Sequence, residues 1–203
     1  MGQRRPLPRT GQGYHKRPVG FRQPLPRFLI VCEGERTEIN YLRRFRQDYR
    51  IPIELVPDGG SPMQVVDRAR RLSLEGDYDQ VWCVFDRDAW SAQEFNGAIV
   101  AIVSRGFRVA YSNEAFELWY LLHFDFCDTA IARQDYIAKL SQRLGYPYIK
   151  NSQATYDALV DRQPQAIRNA ERLLAEYDPP RPVTDNPSTT VHLLVKELNR
   201  FAR

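Results

Sequence analysis

Acidic residues follow two strongly apolar segments of the chain. Residues 28–32 are apolar throughout and are followed by Glu33, and the segment at residues 80–85 is followed by Asp86 and Asp88. Because Asp86 and Asp88 are two residues apart, their side chains share one face if the backbone is extended there. Carboxylates held this close repel one another unless a cation lies between them. Mg²⁺ suits such a group, since it takes a few carboxylates together with waters and substrate phosphate.

Other interpretations of these acids stay open when each is taken singly. A lone Asp-x-Asp also occurs in dehalogenase-type phosphatases, in glycosyltransferases and in solvated surface turns. Glu33 could simply favour the start of the next helix, because negative charge is stabilised at a helix N-terminus. A dehalogenase-type enzyme, however, requires its nucleophilic Asp after the first strand, where this chain has Glu33. The three acids together favour a metal site.

The elements that would position these acids alternate along the chain. Hydrophobic patterning predicts strands at 28–32, 51–56, 80–85 and 107–111, and helices at 37–49, 62–74, 91–104 and 114–124. This alternation predicts an α/β fold with a mostly parallel sheet flanked by helices. Ligands of such sheets bind beyond the carboxyl ends of the strands, which is where the acids fall.

The chain is expected to have three parts. Residues 1–27 form a flexible basic arm rich in Pro and Arg, and residues 28–125 form the α/β core. Residues 126–203 form a helical extension packed on that core, with helices predicted at 133–144, 163–177 and 188–202 and no strand.

The basic arm is the clearest feature that would attract nucleic acid. Residues 1–27 hold seven basic residues and no acidic one, whereas the remainder holds 22 basic and 25 acidic residues. A flexible cationic segment binds phosphate without sequence preference. A solubilising tail and a docking peptide for a protein partner remain alternatives. The arm residues predicted to bind nucleic acid are Arg4, Arg5, Arg9, Lys16 and Arg17.

Several classes of protein are excluded by composition. No apolar run approaches the roughly 20 residues that span a bilayer, so we expect no membrane association. No apolar segment follows the basic N-terminus, which argues against a secretory signal. Three cysteines with no Cys-x-x-Cys pair argue against a disulfide scaffold or a zinc finger and favour the cytoplasm.

Further polar residues have both a functional and a structural interpretation. Glu117 could support a metal site or make a structural hydrogen bond, and His123 could protonate a leaving oxygen, although a core histidine is favoured. Ser112 and Asn113 are expected to cap the following helix, with Asn113 as a candidate supporting residue of the site. Lys150 and the backbone at 188–190 could bind phosphate or serve in helix capping.

Specific motifs resemble the RloB family, whose members carry a Toprim domain. The apolar strand with Glu-Gly, the second βα unit and the apolar strand with Asp-x-Asp follow the Toprim order. The resemblance covers roughly residues 28–201, and one departure is Glu114, where the family usually has Pro. The segments that carry it are 31–38 (VCEGERTE), 84–88 (VFDRD), 110–113 (AYSN), 116–124 (FELWYLLHF) and 186–190 (NPSTT).

The resemblance implies a Toprim-fold nuclease that uses one or two Mg²⁺ or Mn²⁺ ions. Its substrate would be DNA or RNA, with tRNA as one candidate, and its setting prokaryotic anti-phage defence. Glu33 matches the Toprim acid that acts as metal ligand or general base, and Asp86 and Asp88 match the metal-binding pair. Glu38 lies near enough on the next helix to contribute to a second metal.

Two classes of function therefore remain. The first is a metal-dependent nuclease, and the alternative is a non-catalytic Toprim-like module that binds nucleic acid or an ATPase. The resemblance implies an ABC- or AAA-type ATPase encoded nearby, and the chain itself has no P-loop motif. The oligomeric state stays open, with a homo-oligomer as one option.

Overall fold

The computed structural model describes residues 24–88, 90–150 and 152–202. Most of the predicted basic arm, including its five named basic residues from Arg4 to Arg17, lies outside the described residues. None of the helices in the described part of the chain has the length and apolar character that crossing a bilayer requires.

A five-stranded sheet forms the centre of the fold, and the α/β prediction is confirmed. Its order is β2-β1-β3-β4-β5, with the first four strands parallel and β5 antiparallel to β4. All five residues of β1 are buried, as expected for a strand covered on both faces. The strands are β1 (Phe28–Cys32), β2 (Ile53–Pro57), β3 (Gln80–Asp86), β4 (Arg108–Asn113) and β5 (Ser188–Thr189).

Helices cover both faces of this sheet. On one face, Leu29, Val31 and Phe85 pack with α2 and α3. On the other face, Phe28 and Ile30 share a single core with α1, α4 and the later helices, including Trp119 and Leu194. The helices are α1 (Thr37–Tyr49), α2 (Pro62–Ser73), α3 (Ala92–Ser104), α4 (Glu117–Leu121), α5 (Arg133–Leu144), α6 (Gln153–Leu159), α7 (Gln163–Leu174) and α8 (Val191–Asn199).

The segment before α8 differs from its prediction. The helix predicted from residue 188 begins at Val191, and the two residues of β5 extend the sheet instead. Thr189 Oγ1 donates a hydrogen bond to the Tyr111 carbonyl at 3.0 Å, so the edge of β4 satisfies its hydroxyl. Ser188 and Thr189 are fully buried, and Thr189 Oγ1 accepts a hydrogen bond from the Val191 N–H at 3.3 Å, which supports the helix-capping interpretation of 188–190 over a phosphate contact.

The predicted helix cap at Ser112 and Asn113 is also wrong. Both residues belong to β4, where they pair with β5, and α4 begins only at Glu117. The predicted start of that helix therefore lay three residues too early. A further helix, α6, lies in a segment for which no helix was predicted.

Candidate functional site

Glu33 and Asp86 meet at the carboxyl edge of the sheet because β1 and β3 are adjacent and parallel. Glu33 Oε2 accepts a hydrogen bond from the Asp86 backbone N–H at 3.1 Å. Its other oxygen, Oε1, accepts one from the Trp90 indole N–H at 2.7 Å. One donor from the last residue of β3 and one from the segment after it thus fix the orientation of a carboxylate that follows β1.

Asp86 is almost completely buried, with 5% of its surface exposed. Its Oδ2 accepts hydrogen bonds from the Phe116 backbone N–H at 3.1 Å and from Arg133 Nη2 at 3.3 Å. Its Oδ1 is buried and has no hydrogen-bond partner among the described residues. Burial raises the pKa of Asp86 well above its usual range, and the nearby Glu38 and Glu117 carboxylates raise it further.

Asp88 lies where the backbone turns away from β3. Its φ of 34° is in the left-handed region, which Asp tolerates better than most residues. The backbone N–H of Asp88 donates to the Glu114 carbonyl at 3.1 Å, which ties this turn to the end of β4. The Asp88 carboxylate accepts a hydrogen bond from Arg133 Nη1 at 2.7 Å and is 37% exposed. Asp88 therefore lies on the solvent-exposed side of this group of carboxylates.

Glu38 and Glu117 bring two more carboxylates to the same edge. Glu38 lies in the first turn of α1 and is buried. Burial raises the pKa of Glu38 to about 7, and the negative charges of Glu117 and Glu33 raise it further. A Cβ at Gly34 would clash with the Glu38 carboxylate, so a glycine after Glu33 leaves room for it. Glu117, the first residue of α4, is 1% exposed.

Two cations from outside the predicted core contact these acids. Arg133, at the start of α5, contacts Asp86 and Asp88 and has its Nε 4.0 Å from Glu117 Oε2. Lys150 Nζ lies 3.1 Å from Glu117 Oε1, which also accepts a 3.4 Å hydrogen bond from the Tyr148 hydroxyl. We call this group the acid site; its residues are Glu33, Glu38, Asp86, Asp88, Glu117, Arg133 and Lys150.

The donor chemistry of the acid site fits a hydrated divalent cation. In the described part of the chain, no three His, Cys, Asp or Glu side chains are arranged to hold a metal ion together. Asp86 and Asp88 are instead bridged by Arg133. Mg²⁺ usually needs only one or two protein carboxylates, because waters and substrate phosphate complete its shell. The buried Oδ1 of Asp86, unpaired within the described residues, is an acceptor that such a cation would satisfy.

His123 lies in the hydrophobic core instead of the acid site. It is 1% exposed and packs edge-on against Tyr41 and Trp119. Its Nδ1 donates to the Trp119 carbonyl at 2.8 Å, since a carbonyl can only accept. Burial lowers the pKa of His123 to about 4, so the ring is neutral at pH 7 and its placement supports the structural interpretation.

Asn113 also has a structural position. It is 3% exposed, and its Nδ2 donates to the carbonyls of Pro182 at 3.1 Å, Val183 at 3.4 Å and Asp185 at 3.0 Å. The side chain thereby anchors the loop before β5 to the end of β4.

Sequence reasoning missed Arg133 of the acid site and Trp90, which donates a hydrogen bond to Glu33. Arg133 lies in the segment predicted as a helical extension, and Trp90 follows the Asp-x-Asp pair without a recognisable motif. The position of Trp90 close after Asp88 was the one available signal, because residues just beyond a strand end lie at the same edge of the sheet. For Arg133 the sequence offers no signal, since its role depends on how α5 packs.

The comparisons with known proteins agree with the motifs. Neither the curated proteins nor the solved structures give a match. A family model described as RloB-like protein matches residues 28–198, which include all five strands and nearly all of α8. The resemblance seen in the sequence is confirmed, and the chain belongs to the RloB-like protein family.

Proposed function

We propose that this protein is a Mg²⁺- or Mn²⁺-dependent nuclease that hydrolyses phosphodiester bonds of DNA or RNA. The observation that carries the proposal is the buried Asp86 Oδ1, which lacks a partner among the described residues and lies within a group of acidic side chains. Burying a carboxylate oxygen without a partner is costly. A bound cation at this position would offset that cost.

The residues of the acid site have distinct roles in this proposal. A divalent cation bound there would polarise a phosphoryl oxygen and lower the pKa of a bound water. Asp86 and Asp88 would hold it, with Glu38 available for a second ion. Glu33 would accept a proton from the attacking water, because its two hydrogen bonds fix its orientation.

Arg133 and Lys150 would bind the substrate phosphate. Both side chains are partly exposed, at 36% and 41%, while also reaching buried carboxylates. An Arg guanidinium can pair with two phosphate oxygens at once, which orients the group as well as binding it. Each cation would then exchange a carboxylate partner for phosphate when the substrate binds.

A second candidate is a non-catalytic module that binds nucleic acid or an ATPase. The pairing of Arg133 with both Asp86 and Asp88 favours it, because these acids already have a cationic partner without a metal. The nuclease is preferred because it accounts for the burial of Asp86 and Glu38 beside Glu117. A binding module gains nothing from that burial.

A cleavage assay separates the two candidates. Supercoiled plasmid and total tRNA are offered to the wild type, Glu33→Gln and Asp86→Asn in Mg²⁺, Mn²⁺ or EDTA. The matched control is Asp125→Asn, which removes a surface carboxylate paired with Arg143. We expect both acid variants and EDTA to reduce cleavage at least about 100-fold, as loss of a main electrostatic element does, with the control unchanged. Cleavage that persists in both acid variants contradicts the proposal.

We further propose a role in anti-phage defence under the control of an ATPase. The support is the family resemblance together with the absence of a P-loop from the sequence, so nucleotide dependence would come from a partner. Adding the neighbouring ATPase with ATP to the cleavage assay tests this control. Phage plating on cells that carry the wild type or Asp86→Asn tests the defence role, and equal plating on both would contradict it.

A further inference from the structure

A cavity of about 220 Å³ lies beside the acid site, between α1 and the segment that leads into α6. It is smaller than the roughly 300–1,000 Å³ of pockets that enclose drug-sized ligands. A cavity of this size suits one small planar group with a polar attachment and has no room for a base pair. Its lining includes Asn40, Arg43, Gln47, Lys150, Thr155 and Tyr156.

Lys150 joins this cavity to the acid site. It lines the cavity and also borders the space between Glu38, Asp86 and Glu117. Its Nζ lies 3.1 Å from Glu117 Oε1. The Lys150 side chain would therefore lie between a ligand in the cavity and these carboxylates.

The cavity lining combines cations with neutral hydrogen-bonding groups. Arg43 is exposed at the rim, and Asn40 and Gln47 each present an amide that both donates and accepts. Arg44, by contrast, is part of the wall, because it pairs with Asp157 at 3.0 Å and lies 5.0 Å over the Tyr156 ring. Cations and amides that lie side by side along the cavity match a ligand with a phosphate and a polar base.

Thr155 provides an independent sign of a ligand. It is 2% exposed and lines the cavity, yet its buried Oγ1 finds no hydrogen-bond partner in the part of the chain that the structure describes. Buried hydroxyls are nearly always paired, so a polar ligand atom is the natural partner.

We propose that this cavity binds one unstacked nucleotide of a single-stranded DNA or RNA. Its base lies among Asn40, Gln47 and Thr155, and its phosphate lies at Arg43 and Lys150. This arrangement directs the neighbouring phosphodiester toward the acid site. The inference rests on the proposed function for the cleavage step, whereas the binding step stands on the cavity alone.

Binding measured in EDTA tests the cavity without cleavage. Fluorescence anisotropy follows short single-stranded DNA and RNA oligonucleotides binding to the full-length wild type, Arg43→Gln and Thr155→Val. Thr155→Val keeps the side-chain shape and removes the hydroxyl. The matched control for charge is Arg105→Gln, because Arg105 is exposed at the end of α3, at the opposite edge of the sheet from Asp86.

We expect both cavity variants to weaken binding about fivefold or more, while Arg105→Gln stays close to the wild type. For Arg43→Gln, the slope of log K against log salt should also fall by about 0.7, the value for one phosphate contact on a single strand. Unchanged affinity and slope in both cavity variants would overturn the inference.

Competition identifies the natural source of the ligand. A nucleoside 5′-monophosphate that displaces the oligonucleotide from the wild type shows that one nucleotide is sufficient. No displacement at millimolar concentration overturns the single-nucleotide assignment. A monophosphate that binds more tightly than any oligonucleotide overturns the assignment of the cavity's ligand to a nucleic-acid strand.

The same proteins separate this inference from the proposed nuclease. Glu33→Gln and Asp86→Asn are measured for binding in EDTA and for cleavage in Mg²⁺. If they still cleave while Arg43→Gln binds weakly, the nuclease assignment of the acid site fails and the nucleotide cavity stands. If they lose cleavage while both cavity variants bind normally, the cavity assignment fails and the nuclease stands.

Discussion

Arg133 Nη1 lies 2.7 Å from Oδ2 of Asp88, so a residue of α5 closes the acidic edge of a sheet formed mainly by residues before 114. The same guanidinium reaches Asp86 at 3.3 Å. Under the proposed nuclease function, a divalent cation held by both aspartates would need this same position. Arg133 and the metal are expected to compete for these carboxylates.

Replacing Arg133 should strengthen metal binding. In Arg133→Gln the aspartates lose their positive partner, and we expect the Kd for Mn²⁺ to fall about tenfold, which corresponds to about 1.4 kcal/mol. Isothermal titration calorimetry without nucleic acid measures this directly. The control is Arg143→Gln on the same helix, which breaks only the surface pair with Asp125. An unchanged or weaker affinity in Arg133→Gln would show that Arg133 does not occupy the cation position.

Trp90 should matter through the hydrogen bond that it donates to Glu33. Trp90→Phe keeps an aromatic ring but removes the N–H, and a hydrogen bond to a charged group contributes about 1.5–3 kcal/mol. We expect the cleavage rate to fall about tenfold or more with the fold retained by circular dichroism. Trp82→Phe is the control, because it loses a comparable bond from Nε1 to Gln80 Oε1 near the start of β3, far along the strand from the site. Equal rates in the two variants would contradict a positioning role for Trp90.

The parallel part of the fold could be predicted from the sequence because its signals are local. The strands containing Ile30 and Val84 are continuous apolar runs, and each is followed directly by acids at the sheet edge. The meeting of Glu33 with Asp86 then follows from parallel pairing of neighbours. Sequence patterning fails for β5, since two hydroxyl residues carry no strand periodicity and are ordered by hydrogen bonds to β4.

The cations of the site could not be placed from the sequence for a related reason. Arg133 begins α5 and Lys150 follows that helix, and both reach the acids through packing between distant parts of the chain. Neither spacing nor helical periodicity encodes that contact. Contacts between distant parts of the chain also fix the position of Asn113. This residue was predicted to cap a helix, but it anchors a later loop.

Asn113 should contribute to stability more than to chemistry. Asn113→Ala leaves the carbonyls of Pro182 and Val183 without this donor, and an unsatisfied buried polar group costs about 1–3 kcal/mol. Urea unfolding should show a free energy of unfolding lower by that amount. Asn96→Ala, at an exposed position of α3, should change it by less than about 0.5 kcal/mol. A loss of cleavage by Asn113→Ala at full stability would instead assign it to the site.

His123 should make the protein less stable as the pH falls. Its pKa is lowered by burial from 6.5 to about 4 in the folded state, so the unfolded chain takes up the proton first. The neutral ring contributes stability above about pH 6.5 that is lost progressively as the pH falls toward 4. From a shift of this size we expect a loss of about 2 kcal/mol between pH 7.5 and 5.

The variant His123→Asn tests this assignment, because its amide can still donate to the Trp119 carbonyl but does not titrate. Urea unfolding gives the free energy of unfolding at pH 7.5 and at pH 5. The difference between these two free energies should be smaller by about 2 kcal/mol in the variant than in the wild type. His192, whose pKa burial also lowers to about 4, remains in the variant and preserves part of the dependence. A difference equal to that of the wild type would mean that folding does not lower the pKa of His123. That result would contradict its place as a neutral core residue between Tyr41 and Trp119.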